Sequence, residues 1–272
     1  MDMPSSGRPQ PVVANTRPPS HGSEAVEPEG TVGDVLAAIR DAGQLVFVKP
    51  GQALFSAGDA ADGVFVVVSG LVRTCIMLPD GRRQILGFHE AGDLLGVTLA
   101  EHHSHSAEAV SSAKLQSVSR IWLQSLLVLQ PHLCLSLIPH ASHSIEAARR
   151  HLVLLGRMTA RERLCTFLLE RLMGEVGTIT LPMSRLDIAD YLGLTIETVS
   201  RTLTQLRMEG VIHTTTAHIV EVADRRELVE CLEASRRDRN PLLLQVESEE
   251  PLRRKLVASR RRHGAEMTRA LR

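Results

Sequence analysis

The chain has 272 residues, 43% of them apolar, and its 31 basic residues balance its 31 acidic ones. That length can hold two domains with a core in each, and the neutral balance hides an asymmetry between Glu24, Glu27 and Glu29 near the start and the arginine-dominated stretch 253–272. No apolar run is long enough to cross a bilayer and the first residues lack the apolar stretch of a secretory signal, so a cytoplasmic chain with no membrane partner is expected.

Residues 1–30 are rich in Pro, Ser, Gly and Glu and poor in large apolar side chains, the composition of a disordered tail. Val32, Val35, Leu36 and Ile39 then recur at helical spacing. From 44 to about 120 the period changes to short apolar runs (LVFV, LFSAGD, VFVVV, LVRTCIM, RRQILGF) separated by turn signals, with glycines at 51, 58, 63, 70, 81, 87, 92 and 96. Regular strand-ending glycines of this kind predict an all-β roll. The histidines of EHHSHS (His102, His103 and His105), preceded by His89, are read as a solvated loop because no carboxylate or cysteine stands at metal-site spacing.

From about Leu123 the sequence turns helical. Pro131 is expected to open a helix and Pro139 to kink or interrupt it. Ile145, Ala148, Leu152 and Leu155 step by three and four, the pattern of a coiled-coil seam, which predicts a homodimer. Leu164, Phe167, Leu168 and Leu172 give the next helix its buried face. The cysteines Cys75, Cys134, Cys165 and Cys231 have neither paired metal spacing nor a secreted framework, and are read as small buried hydrophobes.

The most informative stretch is 184–212, SRLDIADYLGLTIETVSRTLTQLRMEGVI. Ser184 and Asp187 mark a helix start, and Ile188, Ala189 and Leu192 share one face. Gly193 provides the positive φ for a sharp turn, and Thr195 can cap a second helix whose inward stripe is Val199, Leu203 and Leu206. Its outer face carries Glu197, Ser200, Arg201 and Gln205, with Thr195 and Thr198 near its start. Polar forks close to a helix N-terminus are what base reading requires, so this is a helix-turn-helix contacting double-stranded DNA. Gly210 ends the second helix, and VIHTTTAHIVEV reads as a two-stranded wing. A mixed-charge helix follows over 225–237, and 240–272 is an arginine-rich extension expected to add salt-dependent affinity for DNA.

ETVSR within that frame resembles the CRP/FNR family of bacterial transcription regulators, and most of all its FNR and FixK branch. KPGQALFSAGD, VVSGLVRTC, GFHEAGDLLG and HSAEAV resemble the family's cyclic-nucleotide-binding β-roll. The resemblance implies an α+β chain: a disordered N-terminal tail (1–30), a β-roll (31–130), a dimerisation helix (131–160), a winged helix-turn-helix (161–238) and a basic C-terminal extension (239–272). The cAMP-binding members use a glutamate after the glycine of GDLLG and an Arg-Ser pair; Val97, and His105 with Ser106, stand at those positions, so cAMP binding is not expected. The oxygen-sensing branch holds its cluster with N-terminal cysteines, and none precedes Cys75. No cofactor, no metal site and no catalytic constellation are expected, so the chain is not read as an enzyme. The resemblance implies an activator of microaerobic or anaerobic respiration or nitrogen-metabolism genes. In that branch it reads TTGAT-type inverted repeats and contacts RNA polymerase, here through the turn of Pro79, Asp80, Gly81, Arg82 and Arg83. The alternative is a regulator of the same fold that responds to a small ligand or haem bound in the roll.

Overall fold

The structure is a computed structural model that describes residues 34–172, 174, 176–216 and 218–237. The tails 1–30 and 239–272, together with Val32, lie outside the described residues. The first helix, α1 (Val35–Ala42), starts where Asp34 accepts the Leu36 N–H. Eight strands follow: β1 (Gln44–Val48), β2 (Ala53–Phe55), β3 (Gly63–Ser69), β4 (Val72–Met77), β5 (Arg83–His89), β6 (Leu94–Leu95), β7 (Ser106–Ala109) and β8 (Ala113–Ser119). They form two antiparallel sheets in the orders β1-β8-β3-β6 and β2-β7-β4-β5.

The apolar run of β3 is explained by two separate cores. Successive side chains point to opposite faces of a strand. Phe65 and Val67 enter the roll beside Val46, Phe55, Val72 and Leu115, while Val64 and Val66 pack outward against α1 and the helices that follow the roll. A strand buried on both faces cannot alternate polar with apolar residues. Gly70 turns the chain from β3 to β4 at φ +89°, where a Cβ would fall 2.4 Å from the Ser112 carbonyl.

Ser119 caps α2 (Arg120–Leu129) by accepting the Trp122 N–H. The next helix, α3 (Leu133–Arg157), runs 25 residues and contains Pro139 without interruption. The expected break at Pro139 is corrected for a physical reason: the carbonyl that loses its partner is that of Leu135, an exposed residue, so solvent can satisfy it. Pro131 precedes the helix in a turn where the Cys134 N–H donates to the Pro131 carbonyl at 3.0 Å. From 134 to 150 no residue of α3 is buried. Ile138, Ile145 and Leu152 are 57%, 52% and 73% exposed, and with Ala141 and Ala148 they continue one heptad stripe. Cys134 lies exposed on the same stripe, which corrects its reading as a buried hydrophobe, whereas Cys75, Cys165 and Cys231 are buried.

The C-terminal half comprises α4 (Ala160–Arg171), β9 (Gly177–Thr180), α5 (Arg185–Leu192), α6 (Ile196–Met208), β10 (Ile212–Thr216), β11 (Ile219–Val222) and α7 (Arg225–Arg237). The wing has three strands in the order β10-β11-β9, one more than the sequence suggested. Ile179, the one large apolar residue of β9, is buried in the core shared by α4, α5 and α6. No helix among the described residues is long and apolar enough to cross a membrane.

The two halves are joined by charge as well as by apolar packing. Arg83 was expected in an exposed turn, but its guanidinium donates to Asp187 at 2.7 Å and to Asp190 at 2.8 Å, 104 and 107 residues away. Arg82, by contrast, is exposed and among the described residues pairs with neighbouring Asp80 alone. Burial opposes the Arg83 cation, but the Asp190 hydrogen bond and the two carboxylate charges outweigh it and its pKa rises. Asp187 is buried and accepts from both Arg73 and Arg83 while also capping α5. Asp187→Ala would leave two cations short of a partner, and should cost about 3–5 kcal/mol in urea unfolding. A loss below about 1 kcal/mol would rank the cluster with ordinary surface pairs.

Candidate nucleic-acid interface

The reading unit is built from local capping upward. Ser184 Oγ accepts the Asp187 N–H at 3.0 Å, and Asp187 Oδ2 accepts the Ser184 N–H at 3.1 Å, closing a capping box at the start of α5. Gly193 ends α5 in the left-handed region at φ +61°. Leu194 N–H returns to the Ala189 carbonyl at 3.0 Å, which satisfies one of the terminal carbonyls. Thr195 Oγ1 then accepts the Thr198 N–H at 3.2 Å and starts α6. Ile188, Ala189 and Leu192 of α5 share one core with Val199, Leu203 and Leu206 of α6, so the two helices pack as one unit.

A residue that sequence reading did not single out secures the turn. Arg163 on α4 donates to the carbonyls of Leu155 and Met158 at 2.7 and 2.9 Å and to that of Leu192 at 2.8 Å. One guanidinium thereby satisfies carbonyls at the ends of both α3 and α5, where a helix has no partners of its own. Tyr191 lies beside it, stacked on His151 at 4.2 Å and tilted against Phe88 and Phe167. His151 Nε2 donates to the Tyr191 carbonyl at 2.8 Å, and burial pushes the Tyr191 phenol up to about 12. Arg171 caps the cluster 3.8 Å from the Phe167 ring centre, a cation–π contact.

The six candidate residues divide into two groups, with Gln205 apart from both. Glu197, Ser200 and Arg201 are exposed on the outer face of α6, and the Arg201 side chain makes no hydrogen bond or ion pair among the described residues. Hydrogen bonds from its own backbone N–H and from Thr195 hold the Glu197 carboxyl below the usual carboxylate range, so it is an acceptor at neutral pH. Thr195 and Thr198 are instead occupied at the helix start, their hydroxyls 3.1 Å apart. Gln205 is exposed one turn further on and donates to Glu209 at 3.0 Å. Glu209 is itself held by Arg161 of α4, which anchors the far end of α6. Thr204 and Met208, which were not among the sequence candidates, line the same shallow concavity as Ser200, Arg201 and Gln205. Their positions seven and eleven residues after Glu197 could have been read from helical spacing alone.

The β-roll does not fit a cyclic nucleotide. Ser106 Oγ is already used, accepting the Ala57 N–H at 3.0 Å. His105 sits edge-on to Phe55 at 5.7 Å, and burial lowers its pKa, so it offers no fixed cation for a phosphate. His103 corrects the solvated-loop reading: it is buried and stacked on Phe55 at 3.7 Å, with its backbone tied to Gly58 and Asp59. Burial lowers its pKa as well, followed by the neighbouring His105. Among the described residues no three His, Cys, Asp or Glu side chains converge as a metal site.

Comparison with known proteins agrees with this geometry. Residues 45–128 match the Cyclic nucleotide-binding domain family and 162–231 the Crp-like helix-turn-helix domain family. The Nitrogen fixation regulation protein FixK of Bradyrhizobium diazoefficiens is 42% identical over 176 residues, spanning 62% of this chain and 74% of that protein. The protein of the same name from Azorhizobium caulinodans is 44% identical over 190 residues, spanning 67% and 76%. The solved structure of FixK2 from Bradyrhizobium japonicum superposes with a TM-score of 0.66 at 36% identity, covering 70% of this chain and 96% of that one.

The cap that starts the reading helix can be tested alone. Thr195→Ala should cost about 1 kcal/mol of stability, and Thr195→Ser only a fraction of it, when thermal unfolding of the two variants is compared. Equal melting of both variants with the parent chain would show that the cap contributes nothing.

Proposed function

The chain belongs to the CRP/FNR family of transcription regulators and is FixK-like, and we propose that it works as a homodimer reading TTGAT-type inverted repeats. The genes so controlled are those of microaerobic or anaerobic respiration or nitrogen metabolism, the role implied by its resemblance to the FixK branch. The observation that carries the base reading is the exposed outer face of α6, where Glu197, Ser200 and Arg201 stand together and the Arg201 side chain has no hydrogen-bond or ion-pair partner among the described residues. Arg201 can place two donors on guanine O6 and N7, and ionised Glu197 can accept from a cytosine amino group. Ile196 precedes that glutamate where cAMP-binding relatives have an arginine; it is partly exposed and can touch only a thymine methyl.

The exposed stripe on α3 supports the dimer. A single chain leaves Ile138, Ile145 and Leu152 in water, and a second copy packed along the same seam removes them from it. Two-fold symmetry then sets two reading helices about 34 Å apart, one turn of the duplex. RNA polymerase contact falls to the exposed turn of Pro79, Asp80, Gly81 and Arg82, without Arg83, whose guanidinium is committed to α5.

Competition between TTGAT-type and TGTGA-type duplexes at fixed salt tests the reading. The chain should prefer the former, and Arg201→Ala should lose about 1–3 kcal/mol per half-site and relax the preference at the guanine. Equal affinity for both duplexes, or preference for TGTGA, would contradict it.

A further inference from the structure

The contact between the β-roll and the helix-turn-helix has a charge arrangement that DNA reading itself does not use. Arg73 of β4 and Arg83 of β5 donate to the same oxygen, Asp187 Oδ1, at 2.8 and 2.7 Å. Arg83 also donates to Asp190 Oδ2 at 2.8 Å. Glu108 of β7 receives Arg73 through two nitrogens at 3.0 and 2.6 Å and lies 3.8 Å from Arg83. Gln84 adds a hydrogen bond to the Tyr191 carbonyl at 3.3 Å. The five charged side chains retain only 5–27% exposure. Charges withdrawn from water to this degree are tolerated only in one geometry, because any displacement leaves a desolvated group unpaired. The arginine forks add direction to that constraint.

Two further features tie this cluster to the reading helix. Asp187 uses Oδ1 for both arginines and Oδ2 for the capping box of α5, so a tilt that breaks the domain contact also disturbs the first turn of the helix. Helix α6 follows α5 through their common core. The β-roll nevertheless touches α5 and leaves Glu197, Ser200 and Arg201 exposed, so the docked arrangement does not mask the reading face.

We propose that Arg73, Arg83, Glu108, Asp187 and Asp190 form an interdomain latch that fixes the angle of the reading helix against the β-roll. In a two-fold dimer this sets which half-site spacing the protein accepts. These are positioning residues, and the spacing consequence rests on the dimeric DNA reading proposed above. Each chain presents its helix from a domain anchored to the common α3 seam. Angular freedom at the latch therefore becomes freedom in the distance between the two helices. An effector is not needed to choose that angle, because residues of the chain itself choose it.

The experiment uses the full chain and the variants Arg83→Met and Asp190→Asn, neither of which touches the reading face. Affinity is measured on a single half-site, on an inverted repeat of preferred spacing, and on the same repeat lengthened by two base pairs. In Arg83→Met the preference for the correct spacing should fall about tenfold, with a smaller loss in Asp190→Asn and partial recovery in Arg83→Lys. Half-site affinity and the choice of TTGAT over TGTGA should not move. A variant that binds the half-site normally and keeps its full spacing preference overturns the latch. A readout independent of DNA is the distance between spin labels at Lys114→Cys and Arg207→Cys in a Cys134→Ser background, diluted with unlabelled chain. One narrow distance is expected in the parent and a broadened one in Arg83→Met, and equal widths overturn the latch even if no duplex is bound. Failure of the parent chain on every inverted repeat counts against the proposed function alone. Loss of melting temperature with both readouts unchanged reduces the cluster to a stabilising contact and also overturns the latch.

Discussion

Four elements end or cross at the junction of Tyr191, Phe167, Phe88 and Arg163, and the seating of α5 rests on it together with the charged contacts of Arg73 and Arg83. Packing the half-buried Tyr191 against His151 of α3, Phe88 of β5 and Phe167 of α4 joins three parts of the chain that are distant in sequence. Arg163 then fills the carbonyl ends of α3 and α5 together, so the end of the proposed dimer helix and the turn before the reading helix share one guanidinium. A buried helix end without such donors would leave orphan carbonyls at a cost of about 1–3 kcal/mol each. The packing around this junction thus transmits the orientation of α3 to α5, and α5 carries α6.

The interior of the β-roll is not arranged to receive a nucleotide phosphate. In a roll that binds a nucleotide, a cation and a free hydroxyl must face the phosphate. Here Ser106 serves Ala57, and His103 and Phe55 stack face to face in the space beside it. Strands β4 and β5 present Arg73 and Arg83 to the other domain. The charged contact to the other domain thus lies on the surface of the roll and not in its interior.

The features legible in the sequence are the ones set by near neighbours. Ser184, Gly193 and Thr195 announce their caps because the groups they satisfy lie three to five residues away, and the buried faces of α5 and α6 follow from helical period. The runs of β3 and β4 were equally plain. Where partners are remote the signal vanishes: Arg83 looks like a turn cation because its carboxylates lie more than a hundred residues further on. Strand β9, GTIT, offers one large apolar residue and no alternation, and becomes a strand only by pairing with β11. His103 sits in a polar run that composition marks as solvated, yet its ring is taken up by Phe55. Arg163 carries no motif, since an arginine that serves carbonyls from two helices leaves no spacing to read.

The central claim is that this chain dimerises and engages an inverted repeat with nothing but its own residues. Sedimentation of nucleotide-free, metal-free protein, alone and with a palindromic TTGAT-type duplex, tests it most directly. The account predicts a dimer in the absence of DNA and two chains per duplex in its presence, unchanged by added cAMP or iron. A monomer that dimerises or binds only after an effector is supplied would contradict it.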